Sequence, residues 1–163
     1  MLGTYNIPSS VIIAINKRQR QERYYYISES FINKLQQHAL AEHPNECCGI
    51  LAGENNTIKQ IYPVTNTYRS PYRYLMDPQE QFEVIRDAEK RGFDILGFYH
   101  SHTNSPAYPS ATDVRMALQS GWLDVEYVLL STIDQLKPVI NSYIITEEGE
   151  ITAVSYTHLT LPT

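Results

Sequence analysis

Gly97-Phe98-Tyr99-His100-Ser101-His102, then seven residues that include Pro106 and Pro109, then Ser110-Ala111-Thr112-Asp113: the reading of this chain turns on that stretch. The apolar run at 93–99 predicts a buried strand. Residues two apart on a strand share a face, so His100 and His102 point the same way. A proline-containing loop over 100–109 follows, and Ser110 opens a predicted helix that runs to about residue 120. Asp113 lies in the first turn of that helix, from which a carboxylate can return to the two imidazoles. Two histidines and one carboxylate, with a fourth position left for water, describe a catalytic zinc site, whereas a structural zinc closes with four protein ligands.

Each feature has a plainer reading. An isolated H-x-H is weak, because exposed loop histidines outnumber ligands. Ser110 and Asp113 form S-x-x-D, which also describes a capping box at a helix start. Their joint order is more specific: strand, H-x-H, proline loop, capped helix, carboxylate. Glu46 adds to it. It stands at the start of an otherwise apolar run, where a carboxylate is costly unless paired or used. A metal hydrolase needs a base that is not itself a ligand.

Outward from this centre the elements alternate. Residues 28–43 predict a helix with Phe31, Ile32, Leu35, Ala39 and Leu40 on one stripe, stopped by Pro44. Its His38 and His43 are expected to face solvent. Residues 46–53 and 57–64 read as a hairpin turning at Glu54-Asn55-Asn56. A Tyr- and Arg-rich connector over 65–76 leads to Asp77-Pro78, a helix start that predicts a helix to Arg91 burying Phe82, Ile85 and Ala88. Strands are predicted at 125–131 and 139–145, and a last one at 151–154. The adjacent Cys47 and Cys48 alternate across a strand, so core packing suits them better than metal binding. Tyr72, Tyr74 and Tyr108 lie closest to the site in sequence.

The totals bound the class. The 163 residues, 42% hydrophobic and 19% charged, suit one α/β domain. A formal charge of −5 argues against nucleic acid as a partner. No apolar run is long enough for a membrane span, and the default compartment is the cytoplasm. Residues 1–25, with the basic run Lys17-Arg18-Gln19-Arg20, read as an extension outside the fold. Residues 26–154 form the domain. Residues 155–163 have no pattern continuous with the strand before them and resemble translated adapter DNA, so they are read as a non-native tail.

Glu46, His100-Ser101-His102, Ser110 and Asp113 together resemble the signature of the JAMM (MPN-plus) metallopeptidases, E…H-S-H-x7-S-x2-D, over roughly residues 28–154. The resemblance implies a single mixed-sheet α/β domain with flanking helices. It implies that His100, His102 and Asp113 bind Zn2+. In that family the Glu, here Glu46, acts as general acid and base, and the Ser, here Ser110, steadies the oxyanion. Thr103 departs from the commonest pattern, which has proline there. His-Ser-His-Thr with Ala107-Tyr108-Pro109-Ser110, and Pro44-Asn45-Glu46-Cys47-Cys48-Gly49, resemble a compact bacterial branch. Members of that branch release cysteine from the C-terminus of a small ubiquitin-like sulfur-carrier protein, which becomes the expected partner. The alternatives are a deubiquitinase-like isopeptidase, whose usual long insertions are missing between Gly53 and Asp113, and a non-catalytic scaffold, which typically loses ligands that this chain keeps. A zinc nucleobase deaminase is excluded, because its H-x-E and P-C-x-x-C motifs are not present.

Overall fold

A computed structural model describes residues 24–159. The basic run at 17–20 and the rest of 1–23 lie outside the described residues, as do 160–163. The elements are β1 (Tyr24–Ser28), α1 (Glu29–Glu42), β2 (Cys48–Glu54), β3 (Thr57–Val64), α2 (Pro78–Lys90), β4 (Asp94–His102), α3 (Ala111–Ser120), β5 (Glu126–Ser131), β6 (Val139–Ile145) and β7 (Ile151–Leu159). The strands curl into a closed sheet in the order β1-β3-β2-β4-β5-β6-β7, with β7 returning to β1. Among the described residues no helix is long and apolar enough to cross a membrane.

Local chemistry sets the boundaries. The Ser28 hydroxyl accepts from the Phe31 amide to start α1. The Asp77 carboxylate accepts from the Gln79 and Glu80 amides, and Pro78 occupies the first helical position of α2. Asn55 and Asn56 both take positive φ, 51° and 60°, as a two-residue hairpin turn between β2 and β3 demands. β4 and β5 pair in parallel and therefore need a crossover, which α3 supplies. That crossover carries the start of α3 back over the carboxyl end of β4.

Two apolar layers fix the sheet. Leu51, Tyr99, Val128 and Leu130 pack with Leu35 and Ala39 of α1. Ile50, Phe98 and Tyr127 pack on the opposite side with Ala117 of α3 and Val84 of α2. Cys47 falls in the first layer and Cys48 in the second, and burial pushes the Cys47 thiol up to about 12. Both are buried free thiols that pack the core, as their alternation predicts.

Three expectations need correction. Phe82 does not enter the core: it is 56% exposed, with the Arg86 guanidinium over its ring, because Val84 and Ala88 form the stripe that meets the sheet. His38 and His43 are half-buried rather than solvent-facing, since α1 lies against the sheet. Their Nδ1 atoms meet the Tyr99 hydroxyl at 2.7 Å and the Thr132 hydroxyl at 2.9 Å. The sheet also does not end at Val154. β7 continues to Leu159, and Ser155 to Leu159 pair in parallel with Tyr24 to Ser28. β1, which has no predicted counterpart in the sequence, supplies those partners and buries Tyr25 and Ile27. Deleting residues 155–163 is therefore expected to lower the melting temperature by roughly 5 °C or more, about 1–2 kcal/mol for a domain of this size. An unchanged thermal melt would show that this pairing contributes nothing to stability.

Candidate metal centre

Parity along β4 builds the site. Phe98, His100 and His102 face α3, and Tyr99 and Ser101 face α1. The end of β4 is clamped on both sides. The Ser101 amide donates to the Cys47 carbonyl, the Cys47 amide donates to the Ser101 hydroxyl at 2.8 Å, and the Thr132 amide donates to the His102 carbonyl. The H-x-H pair thus stands on rigid, buried backbone rather than in a loop.

Asp113 arrives from the first turn of α3. The Ser110 hydroxyl accepts from the Asp113 amide at 3.0 Å, and the Asp113 carboxylate accepts from the Ser110 amide at 2.9 Å. The capping box and the candidate ligand are the same residues: the cap orients the carboxylate toward the histidines. Asp113 Oδ1 lies 3.2 Å from His100 Nε2, and Oδ2 lies 3.0 Å from His102 Nε2. The two Nε2 atoms are 3.1 Å apart. The structure brings together all three residues predicted as ligands.

The donor set fits a metal ion. His102 Nδ1 is 2.8 Å from the Pro106 carbonyl, which can only accept, so this contact assigns the ring proton to Nδ1. The bare Nε2 then faces a carboxylate oxygen and a second imidazole nitrogen. Such converging lone pairs repel unless a cation or a proton joins them. Ligands held about 2.0–2.1 Å from a tetrahedral zinc stand roughly 3.3 Å apart, close to the spacing observed. The shifts agree with this polarity. Where protons rather than a metal join the three groups, burial still works to raise the Asp113 carboxyl, but the His100 and His102 rings beside it hold it well below the usual carboxylate range. His100 is lowered by burial, whereas at His102 the Asp113 carboxylate and the Pro106 carbonyl outweigh burial and raise it.

Glu46 lies just ahead of β2 at 5% exposure. Burial, opposed by the nearby His102 and reinforced by the charge of Asp113, pushes its carboxyl up to about 8. A carboxyl poised there can take or give a proton near neutral pH. Several residues that support it are not apparent from sequence patterns. Asn66 Nδ2 donates to the Glu46 carbonyl and to the Arg73 carbonyl, and its Oδ1 accepts from the Tyr68 and Leu75 amides. The Thr103 hydroxyl donates to the Pro71 carbonyl, a bond that the commoner proline could not make. Together they fasten the 65–76 connector over the site. Of the tyrosines near in sequence, Tyr74 stacks on the His100 ring with centroids 4.4 Å apart, while Tyr72 and Tyr108 are exposed.

Comparison with known proteins agrees with this geometry. The CysO-cysteine peptidase of Mycobacterium tuberculosis is 39% identical over 128 residues, covering 77% of this chain and 85% of that protein. A desampylase of Haloferax volcanii is 36% identical over 58% of the chain and 70% of its own length. The solution structure of a protein from Desulfitobacterium hafniense matches 84% of this chain and 94% of its own, with a TM-score of 0.71 at 30% identity. Residues 28–152, which take in α1 to β6 and every residue of the candidate metal centre, match the family of prokaryotic homologs of the JAB domain, and the chain belongs to that family.

Proposed function

We propose that this chain is a zinc-dependent hydrolase that cleaves an amide bond at the C-terminus of a small ubiquitin-like sulfur-carrier protein in the cytosol and releases cysteine. One observation carries the reading: the His100 and His102 Nε2 atoms, 3.1 Å apart, each meet one oxygen of the Asp113 carboxylate at 3.0–3.2 Å, near a buried carboxyl, Glu46, that is not among them. A zinc ion held by His100, His102 and Asp113 would supply Lewis-acid polarisation and make a water acidic enough to react near neutral pH. Glu46 takes the proton of the attacking water and delivers it to the departing amine. Ser110 keeps its lone pair on the Asp113 amide, which leaves its O–H to donate to the developing oxyanion; such a donor is typically worth ~3 kcal/mol in the barrier. The similarity to the CysO-cysteine peptidase supports the carrier and the leaving group. The intact ligand set argues against a scaffold.

A second reading, an isopeptidase acting on protein conjugates, draws on the similarity to the desampylase. The test offers the purified enzyme a carrier–cysteine adduct, a lysine-linked ubiquitin dimer and a free peptide matching the carrier tail, with products identified by mass spectrometry. The adduct should be cleaved fastest and the free peptide poorly, because much of the binding energy comes from the carrier body. Faster cleavage of the dimer would move the protein to the isopeptidase reading.

A further inference from the structure

Glu46 also lines a polar cleft of about 280 Å³, together with Glu42, Asn45, Thr65, Asn66 and the exposed Arg69 among others. This is slightly below the ~300–1,000 Å³ of pockets for drug-sized ligands, so it has room for a single amino acid. Arg69 is the one cation lining it. The position of Arg69 is built. Its φ is +45°, a strained conformation for a side chain of this size, and its amide donates to the Asn66 carbonyl while Asn66 Oδ1 holds the neighbouring Tyr68 amide. Arg73 beside it is occupied over the Tyr68 ring, but the Arg69 guanidinium has no hydrogen bond or ion pair with any described residue.

We infer that Arg69 binds the α-carboxylate of the leaving amino acid and selects substrates whose leaving group is a free C-terminal residue. The argument rests on the proposed hydrolysis. The amine that receives the Glu46 proton belongs to an α-amino acid, so its carboxylate is only one carbon away and must lie beside Glu46. A second carboxylate beside the buried Glu46 repels it, and the exposed Glu42 at the mouth of the same cleft adds to the negative charge. A guanidinium removes that cost and meets a carboxylate with two parallel hydrogen bonds. An isopeptide leaving group, a lysine side chain within a second protein, carries no carboxylate near its nitrogen and gains nothing from Arg69.

The test compares two forms of one ubiquitin-like carrier ending in Gly-Gly-Cys, one with a free carboxylate and one as the cysteinamide. Wild-type enzyme should cleave the free acid with a kcat/KM roughly ten- to a hundredfold above that of the amide, the scale of a charge-assisted pair. Arg69→Gln and Arg69→Ala should lose that preference by slowing on the acid alone, with metal content and melting temperature unchanged, and Arg69→Lys should restore part of it. Equal wild-type rates on acid and amide, or a preference that survives both substitutions, would overturn the role of Arg69 and leave the hydrolase reading standing. Failure of the wild type to cleave either form would overturn both.

Discussion

Substituting Asp113 with alanine is expected to strip the metal from the chain and reduce turnover to background. The carboxylate supplies the only negative charge among the three converging ligands, and its removal leaves two neutral imidazoles to hold a dication. The same substitution breaks the reciprocal bond to the Ser110 amide, which costs α3 about 1 kcal/mol. Two separable losses follow: metal content falls to background by elemental analysis, and the melting temperature falls by roughly 3 °C. The His100→Ala/His102→Ala double variant does not touch the cap, so it should lose the metal without that fraying. Full zinc occupancy in the double variant would sink the site assignment.

Glu46→Gln separates chemistry from binding. The amide keeps the shape of the side chain but cannot relay a proton, so kcat should fall by roughly 10²–10⁴-fold while the metal and KM persist. Retention of wild-type kcat would reduce Glu46 to a residue of the loop before β2. The same variant makes a prediction for the metal-free protein. Burial raises the Glu46 carboxyl from 4.5 to about 8, so the folded state holds a proton that the unfolded chain has released. Stability is then lost as pH rises from 4.5 through about 8. Glutamine escapes that loss, and its melting temperature should exceed that of the parent above pH 8 and converge with it below 4.5.

The parts of this architecture that are local in sequence were the legible ones. Asp77-Pro78, Asn55-Asn56 and Ser110 each dictate a turn or a cap through their own side chains, and the elements begin where those residues predict. The convergence of His100, His102 and Asp113 was legible because strand parity and a helix start are short-range rules. What stayed hidden depends on distant partners. β1 pairs with β7, more than a hundred residues away, and has no alternation of its own to betray it. Asn66 matters through carbonyls and amides contributed by residues 46 to 75, so nothing in its neighbours marks it. Phe82 was misplaced because an apolar residue on a helix does not say which stripe will meet the sheet.

The clamped end of β4 has a kinetic consequence. A backbone bond from the Ser101 amide to Cys47 on one side, and one from the Thr132 amide to His102 on the other, are expected to place this segment among the last to open in hydrogen exchange. A centre that stiff does not reshape itself around what it receives. On the proposed reading, any adjustment on binding then falls to the carrier's terminal tail rather than to the strand that presents His100 and His102.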